Sequence, residues 1–202
     1  MQSSVAVAHD LVTRIQPFDE TERAHRAAAI CWLESTDDVF RRVRPATPPK
    51  HLVSYCVVAD PGDLSIFLVD HVNAGLWLPP GGHVEPDDHP LETARRELAE
   101  ELNLDADFSV IGTQPLFVTV TETVGADHGH VDVSLWYAAA ADRRTPMTPD
   151  PREFNGACWW TADEIASAPG EPFDPHFHRF MAKLISWRAE PRAAEHHRAS
   201  GS

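Results

Sequence analysis

The chain has 202 residues, 43% of them hydrophobic, which suits one globular domain with a full core plus an extension. Its formal net charge of −14 argues against electrostatic binding to nucleic-acid polymers or anionic membranes, but not against small nucleotides whose phosphates a metal can screen. Cys31, Cys56 and Cys158 are scattered and odd in number, so a reduced, cytoplasmic setting is expected rather than a disulfide framework. The N-terminus shows no basic region followed by an apolar run, and no apolar stretch approaches membrane-spanning length.

Met1 to Phe18 is weakly patterned and expected to fray, although Val5 to Val12 could pack somewhere. Asp19 to Glu22 has the form of a capping box, so a helix should follow to about Glu34, with Ala24, Ala27, Ala28 and Cys31 as a small-residue stripe. Arg44 to Lys50 holds three prolines and reads as a linker. Residues 1–48 therefore form an N-terminal helical extension, readable as a lid, a dimer contact or a packing brace, the last being favoured. A homodimer is left open.

Leu52 to Ala59 and Leu64 to Asp70 are β-branched-rich runs joined by the turn Asp60-Pro61-Gly62-Asp63, a hairpin signal. Leu76 to Leu78 leads into Pro79-Pro80 and the glycine pair Gly81-Gly82. Pro90 suits the first position of a helix, with Asp88 or His89 as its cap. Leu91, Ala94, Leu98 and Leu102 then make one buried stripe at helical spacing. Glu97, Glu100 and Glu101 fall at i, i+3 and i+4, so three carboxylates crowd one patch beside it. Like charges so placed repel, and a hard divalent cation reverses the sign of that interaction. Arg96 stands at i−4 from Glu100, where its fork can orient that carboxylate or Asp88.

Phe117 to Val124 reads as a strand, and His130 to Ala138 alternates cleanly. Val131, Val133, Leu135 and Tyr137 form one face of the second strand; His130, Asp132, Ser134 and Trp136 form the other, which suits a cleft floor. Trp136, Phe117 and Phe173 are candidates to stack a base, and His128 with His130 is a candidate metal pair. Glu153 precedes a further strand, Phe154 to Trp160, and Thr161 to Ile165 starts a short helix. Asp174-Pro175 caps a last helix carrying Phe177, Phe180, Met181 and Leu184 at i, i+3, i+4 and i+7. The tail 190–202 is expected to be disordered.

The stretch Gly82, five residues, Asp88, seven residues, Arg96-Glu97-Leu98-Ala99-Glu100-Glu101-Leu102-Asn103-Leu104 resembles the Nudix box. Asp88 stands where the pattern has glutamate and Asn103 where it has glycine; Asn tolerates a left-handed helix end. The resemblance implies an α/β/α sandwich around a mixed central sheet, over 49–189. It implies a phosphohydrolase that cleaves a diphosphate bond in a nucleoside diphosphate linked to another moiety, a small-molecule nucleotide-type substrate. Mg²⁺ or Mn²⁺ would be held by Glu97, Glu100, Glu101 and the Gly81 carbonyl. It leaves Glu100, Glu101 and Glu153 open as general base. The alternative is a non-catalytic Nudix-type module that only binds a nucleotide ligand.

Overall fold

β1 (Lys50–Ala59) is the strand on which the sheet is built. It pairs in parallel with β6 (Val131–Ala140) along its whole length, from Lys50↔Val131 to Ala59↔Ala140. Its other edge is divided. β2 (Ile66–His71) takes Val58 and Ala59, completing the expected hairpin, and β4 (Gly81–His83) takes Val53 to Tyr55, both antiparallel. β2 carries β7 (Phe154–Trp160) along one edge, so β3 (Leu76–Leu78) must lie on the edge facing β1. β1 and β2 thus meet only at one end and splay, with β3 and β4 in the gap. β5 (Phe117–Glu122) closes the other side as the outer antiparallel partner of β6. This computed structural model describes residues 4–44, 47–124, 129–168 and 172–189. The tail 190–202 and His128 lie outside the described residues.

Helices cover both faces of the mixed sheet. Leu52, Cys56 and Val58 of β1 and Val133, Leu135 and Tyr137 of β6 share a core with α1 (Ser4–Arg14), α2 (Glu20–Ser35) and α3 (Pro90–Leu102). Alternate residues of the same strands, Val57, Ala59, Trp136 and Ala138, join a second core with α4 (Ala162–Ser167) and α5 (Phe177–Ala189). α4 opens on a full capping box between Thr161 and Glu164. The α/β/α sandwich is therefore realised, with period-2 alternation assigning each strand residue to one core or the other.

Two N-terminal features differ from expectation. Ser4 to Arg14 is a helix, with Ala8, Leu11 and Val12 buried. A helix of 11 residues is marginal alone, so docking on the core supplies what local propensity does not. Glu22 does not close a capping box. Asp19, three residues earlier, caps the helix by accepting from Glu22 N at 2.7 Å, while the Glu22 side chain turns inward. That fully buried carboxylate accepts from Phe18 N at 2.6 Å, Lys183 Nζ at 2.7 Å and Val118 N at 3.4 Å. Arg179 of α5 grips Asp19 with two bonds, 2.8 and 2.5 Å. α2 is thereby tied to α5 across β5, covering an outer strand that would otherwise present an open edge.

Candidate active site

α3 presents the carboxylates. His89 caps it, its Nδ1 accepting from Leu91 N at 3.0 Å, and Asn103 ends it in the left-handed region at φ 52°. Leu91, Ala94, Leu98 and Leu102 are buried as the stripe requires. Glu101 lies three residues past Leu98, at the margin of that stripe, and retains only 4% exposure. The Glu97 side chain is 12% exposed and that of Glu100 62%, so the patch is graded from buried to open.

The glycine pair forms the opposing wall. Gly81 N donates to Glu101 Oε2 at 3.1 Å. A Cβ on Gly81 would stand 2.3 Å from the Ser54 carbonyl oxygen, and one on Gly82 would stand 2.3 Å from Glu97 Oε1. Only a glycine backbone passes this close to both β1 and the helix carboxylates. Burial pushes the Glu101 carboxyl up to about 9, with the charges of Glu97 and Glu153 acting the same way. Burial also raises Glu97, against the opposing pull of Arg96. Arg96 Nη1 lies 2.8 Å from Glu97 and 3.4 Å from Glu100, so it orients these two rather than Asp88. One guanidinium against three helix carboxylates leaves the helix patch short of positive charge. Oxygen donors of this kind, held together at an energetic cost, fit a hard divalent cation.

These groups line a cleft of about 530 Å³ that runs from α3 over the splayed sheet, with Glu153 on its rim just before β7. Its floor carries His130, Asp132 and Ser134, as the alternation of β6 implies. Trp136 and Phe117 are elsewhere. Both are fully buried in the second core, Trp136 stacked on Phe180 at 5.2 Å between centroids and donating Nε1–H to Thr119 Oγ1 at 3.0 Å. The expectation that they stack a base is corrected: α5 covers this face of the sheet from Trp136 onward. Phe173 is buried in that core too.

Three residues in or beneath the cleft carry no site role in the sequence pattern, where Asp174 is expected only as a helix cap. Asp174, buried and raised to about 6 by that burial, lines the wall as well as accepting from His176 N at 2.7 Å. His51 and His83 complete a cluster with His130 and Asp132 whose ligand atoms all lie within 4.8 Å of one another. His83 is held well below the usual imidazole range by burial, then by the charge of Arg41. His51 and His83 come from β1 and β4, so no fixed spacing announces them; the strand register does.

A model of the NUDIX domain family matches residues 49–181. The chain belongs to the Nudix family. It is 32% identical over 99 residues to the m7GpppN-mRNA hydrolase NUDT17 of Danio rerio, a stretch that is 45% of this chain. The match spans 33% of that relative's length. Among solved structures, the Escherichia coli ORF135 protein superposes with a TM-score of 0.52 at 21% identity, over 75% of this chain and 99% of that one. The Caenorhabditis elegans Ap4A hydrolase binary complex gives 0.52 at 16%, over 68% and 97%. The NUDIX domain of Shewanella oneidensis NrtR, complexed with ADP ribose, gives 0.52 at 19%, over 69% and 88%. At these identities the superpositions establish the Nudix fold.

Proposed function

We propose that this Nudix protein is a phosphohydrolase that cleaves a diphosphate bond in a nucleoside diphosphate linked to another group, with Mg²⁺ or Mn²⁺ as cofactor. The observation that carries the reading is the burial of Glu97 and Glu101 side by side against the Gly81-Gly82 backbone, with Glu101 raised to about 9. A fold tolerates such a cluster where a cation neutralises it. Gly81, Glu97, Glu100 and Glu101 are the residues that would hold the ion. When bound, it screens the diphosphate and makes a water more acidic.

The remaining roles belong to the chain's own side chains. Arg96 fixes Glu97 and Glu100 in orientation. Glu153 is exposed on the rim, outside the metal-holding patch yet near enough for its charge to raise Glu97 and Glu101. That position suits a general base that takes a proton from water while the helix carboxylates remain as ligands. Arg41 and Arg44 line the cleft and supply positive charge for the substrate's phosphates. His130 and Asp132 stand where the substrate's other end would rest.

The catalytic domain is 49–189, and 1–48 is its brace. No helix among the described residues is long and apolar enough to cross a membrane. The three cysteines are free thiols, which suits the cytoplasm.

The test is a panel of a capped dinucleotide, a dinucleoside tetraphosphate and ADP-ribose with Mg²⁺ or Mn²⁺, with products resolved by chromatography. Turnover of at least one compound, abolished by Glu100→Gln, is expected. Tight binding of a panel compound without turnover in either metal would instead establish a ligand-binding module.

A further inference from the structure

His83, His130 and Asp132 line the cleft floor with His51 buried beneath them, and the sheet register is what joins the four. His51 and Asp132 are partners in the parallel β1–β6 ladder. His83 is the partner of Val53 on the other edge of β1. His130 immediately precedes β6. Asp132 Oδ1 lies 3.2 Å from His51 Nε2, 3.4 Å from His130 Nε2 and 3.9 Å from His83 Nε2.

The hydrogen bonds outside the cluster bear on which nitrogens face it with a lone pair. His51 Nδ1 sits 2.9 Å from the Pro48 carbonyl oxygen, which can only accept, so Nδ1 is the donor and neutral His51 has a lone pair on Nε2. The Thr123 hydroxyl gives its proton to the His130 carbonyl at 3.1 Å. It also lies 3.2 Å from His130 Nδ1; with its proton on the carbonyl it accepts there, which is the tautomer that leaves the Nε2 lone pair of neutral His130 toward the cluster. Lone pairs thus converge on a carboxylate oxygen. His51 Nε2, His83 Nε2 and Asp132 Oδ1 are all buried without a hydrogen-bond partner. Arranged so, the atoms repel one another, and a shared cation removes the repulsion.

The spacing fits an ion. With ligands at about 2.0–2.1 Å in a tetrahedron, neighbouring donor atoms stand about 3.3–3.4 Å apart; the Asp132 distances to His51 and His130 match this, and the whole set, within 4.8 Å, closes onto an ion by small side-chain shifts. Three imidazoles and one carboxylate suit a borderline transition metal, whereas Mg²⁺ prefers oxygen alone. The Pro48 and Thr123 contacts are the outer hydrogen bonds that metal-bound histidines need to fix their ring orientation. We propose that His51, His83, His130 and Asp132 bind one divalent transition-metal ion of the zinc type, separate from the hard cation of the α3 carboxylates. The side chains of His83 and Asp132 keep 22% and 14% exposure, so the centre opens onto the cleft.

The experiment uses the full chain, stripped with a chelator and dialysed. Zn²⁺ is titrated by calorimetry, and Co²⁺ is added as a visible-absorption probe of tetrahedral nitrogen coordination. About one equivalent of Zn²⁺ and a Co²⁺ band that Zn²⁺ displaces are expected. His83→Gln and Asp132→Asn should each weaken Zn²⁺ by more than the roughly 10–100-fold that outer-shell changes cost. Circular dichroism on both variants checks that they fold, and the less buried His83 guards against a merely unfolded result. Glu100→Gln should leave Zn²⁺ and Co²⁺ uptake unchanged. Absence of the Co²⁺ band in wild type, uptake indifferent to both cluster variants, or uptake lost in Glu100→Gln would overturn the assignment. None of these readouts depends on hydrolysis, so the site stands or falls apart from the proposed activity.

Discussion

Gly82→Ala should disable the cleft while leaving the fold nearly intact. The added Cβ would stand 2.3 Å from Glu97 Oε1 and 2.6 Å from its Cδ. Ordinary contact lies near 3.5 Å or beyond, so the carboxylate must retreat by about 1 Å. It is the tip of a flexible side chain, so the retreat costs about the 0.5–1.5 kcal/mol of an off-rotamer side chain. The same movement pulls Glu97 from its 2.8 Å contact with Arg96 and from any shared ion. A displacement of about 1 Å in a catalytic constellation costs on the order of 10²-fold in rate. Calorimetric Mn²⁺ affinity, kcat on whichever panel compound turns over, and Tm by circular dichroism measure the three quantities. Gly81→Ala is the control with the opposite profile. Its Cβ would meet the Ser54 carbonyl oxygen at 2.3 Å and Tyr55 Cα at 2.9 Å, backbone atoms that cannot swing aside, so Tm should fall first. A well-folded Gly82→Ala protein with wild-type Mn²⁺ affinity and kcat would refute the claim that this glycine makes room for a working Glu97.

Glu153→Gln should lower kcat by about 10²–10⁴-fold with Mn²⁺ affinity within a few-fold of wild type, since a base acts on the water and not on the ion; wild-type kcat would move the base to Glu100 or Glu101. Glu101 holds a proton in the folded state up to about 9, while the unfolded chain releases it near 4.5. Its contribution to metal-free stability is therefore full below about 4.5 and is lost as pH rises toward 9. Urea midpoints should fall across that window, Glu101→Gln should flatten the fall, and saturating Mn²⁺ should offset it; a metal-free slope unchanged in Glu101→Gln would contradict this. Trp136→Ala should cost about 3–5 kcal/mol, the usual penalty for emptying a buried aromatic site, and it orphans Thr119 Oγ1. A raised KM with an unshifted Tm would put the ring back in the cleft.

Where the fold was legible in the sequence, local pattern and tertiary cover agreed. The β1–β2 hairpin follows from two β-branched runs around Asp60 to Asp63, and α3 from its stripe, its proline and its Asn103 end. β4 was not legible as a strand: Gly81, Gly82 and His83 pair with β1 through backbone alone and carry no strand propensity. α1 was missed because its helix rests on burial against distant residues. On β6 the alternation assigned both faces correctly, but it could not say where the polar face ends. Ser134 lies in the cleft and Trp136 lies under Phe180, and the difference is made by α5, an element far along the chain.

The candidate site divides along the same line. The i, i+3, i+4 spacing of Glu97, Glu100 and Glu101 lies within one helix, so the carboxylate patch could be read directly. Its grading could be inferred too, because Glu101 follows Leu98 by three residues and must share part of its burial. The histidine cluster lies in no single element. It exists because β1 and β6 run parallel in one register, which sets His51 against Asp132, and because β4 occupies the edge that β2 leaves by splaying away. That splay opens the cleft between the α3 carboxylates and the imidazole floor. One face of the cleft therefore offers oxygen donors suited to a hard cation and the floor offers nitrogen donors suited to a borderline one. Two ions of different preference can be kept apart by donor chemistry rather than by distance.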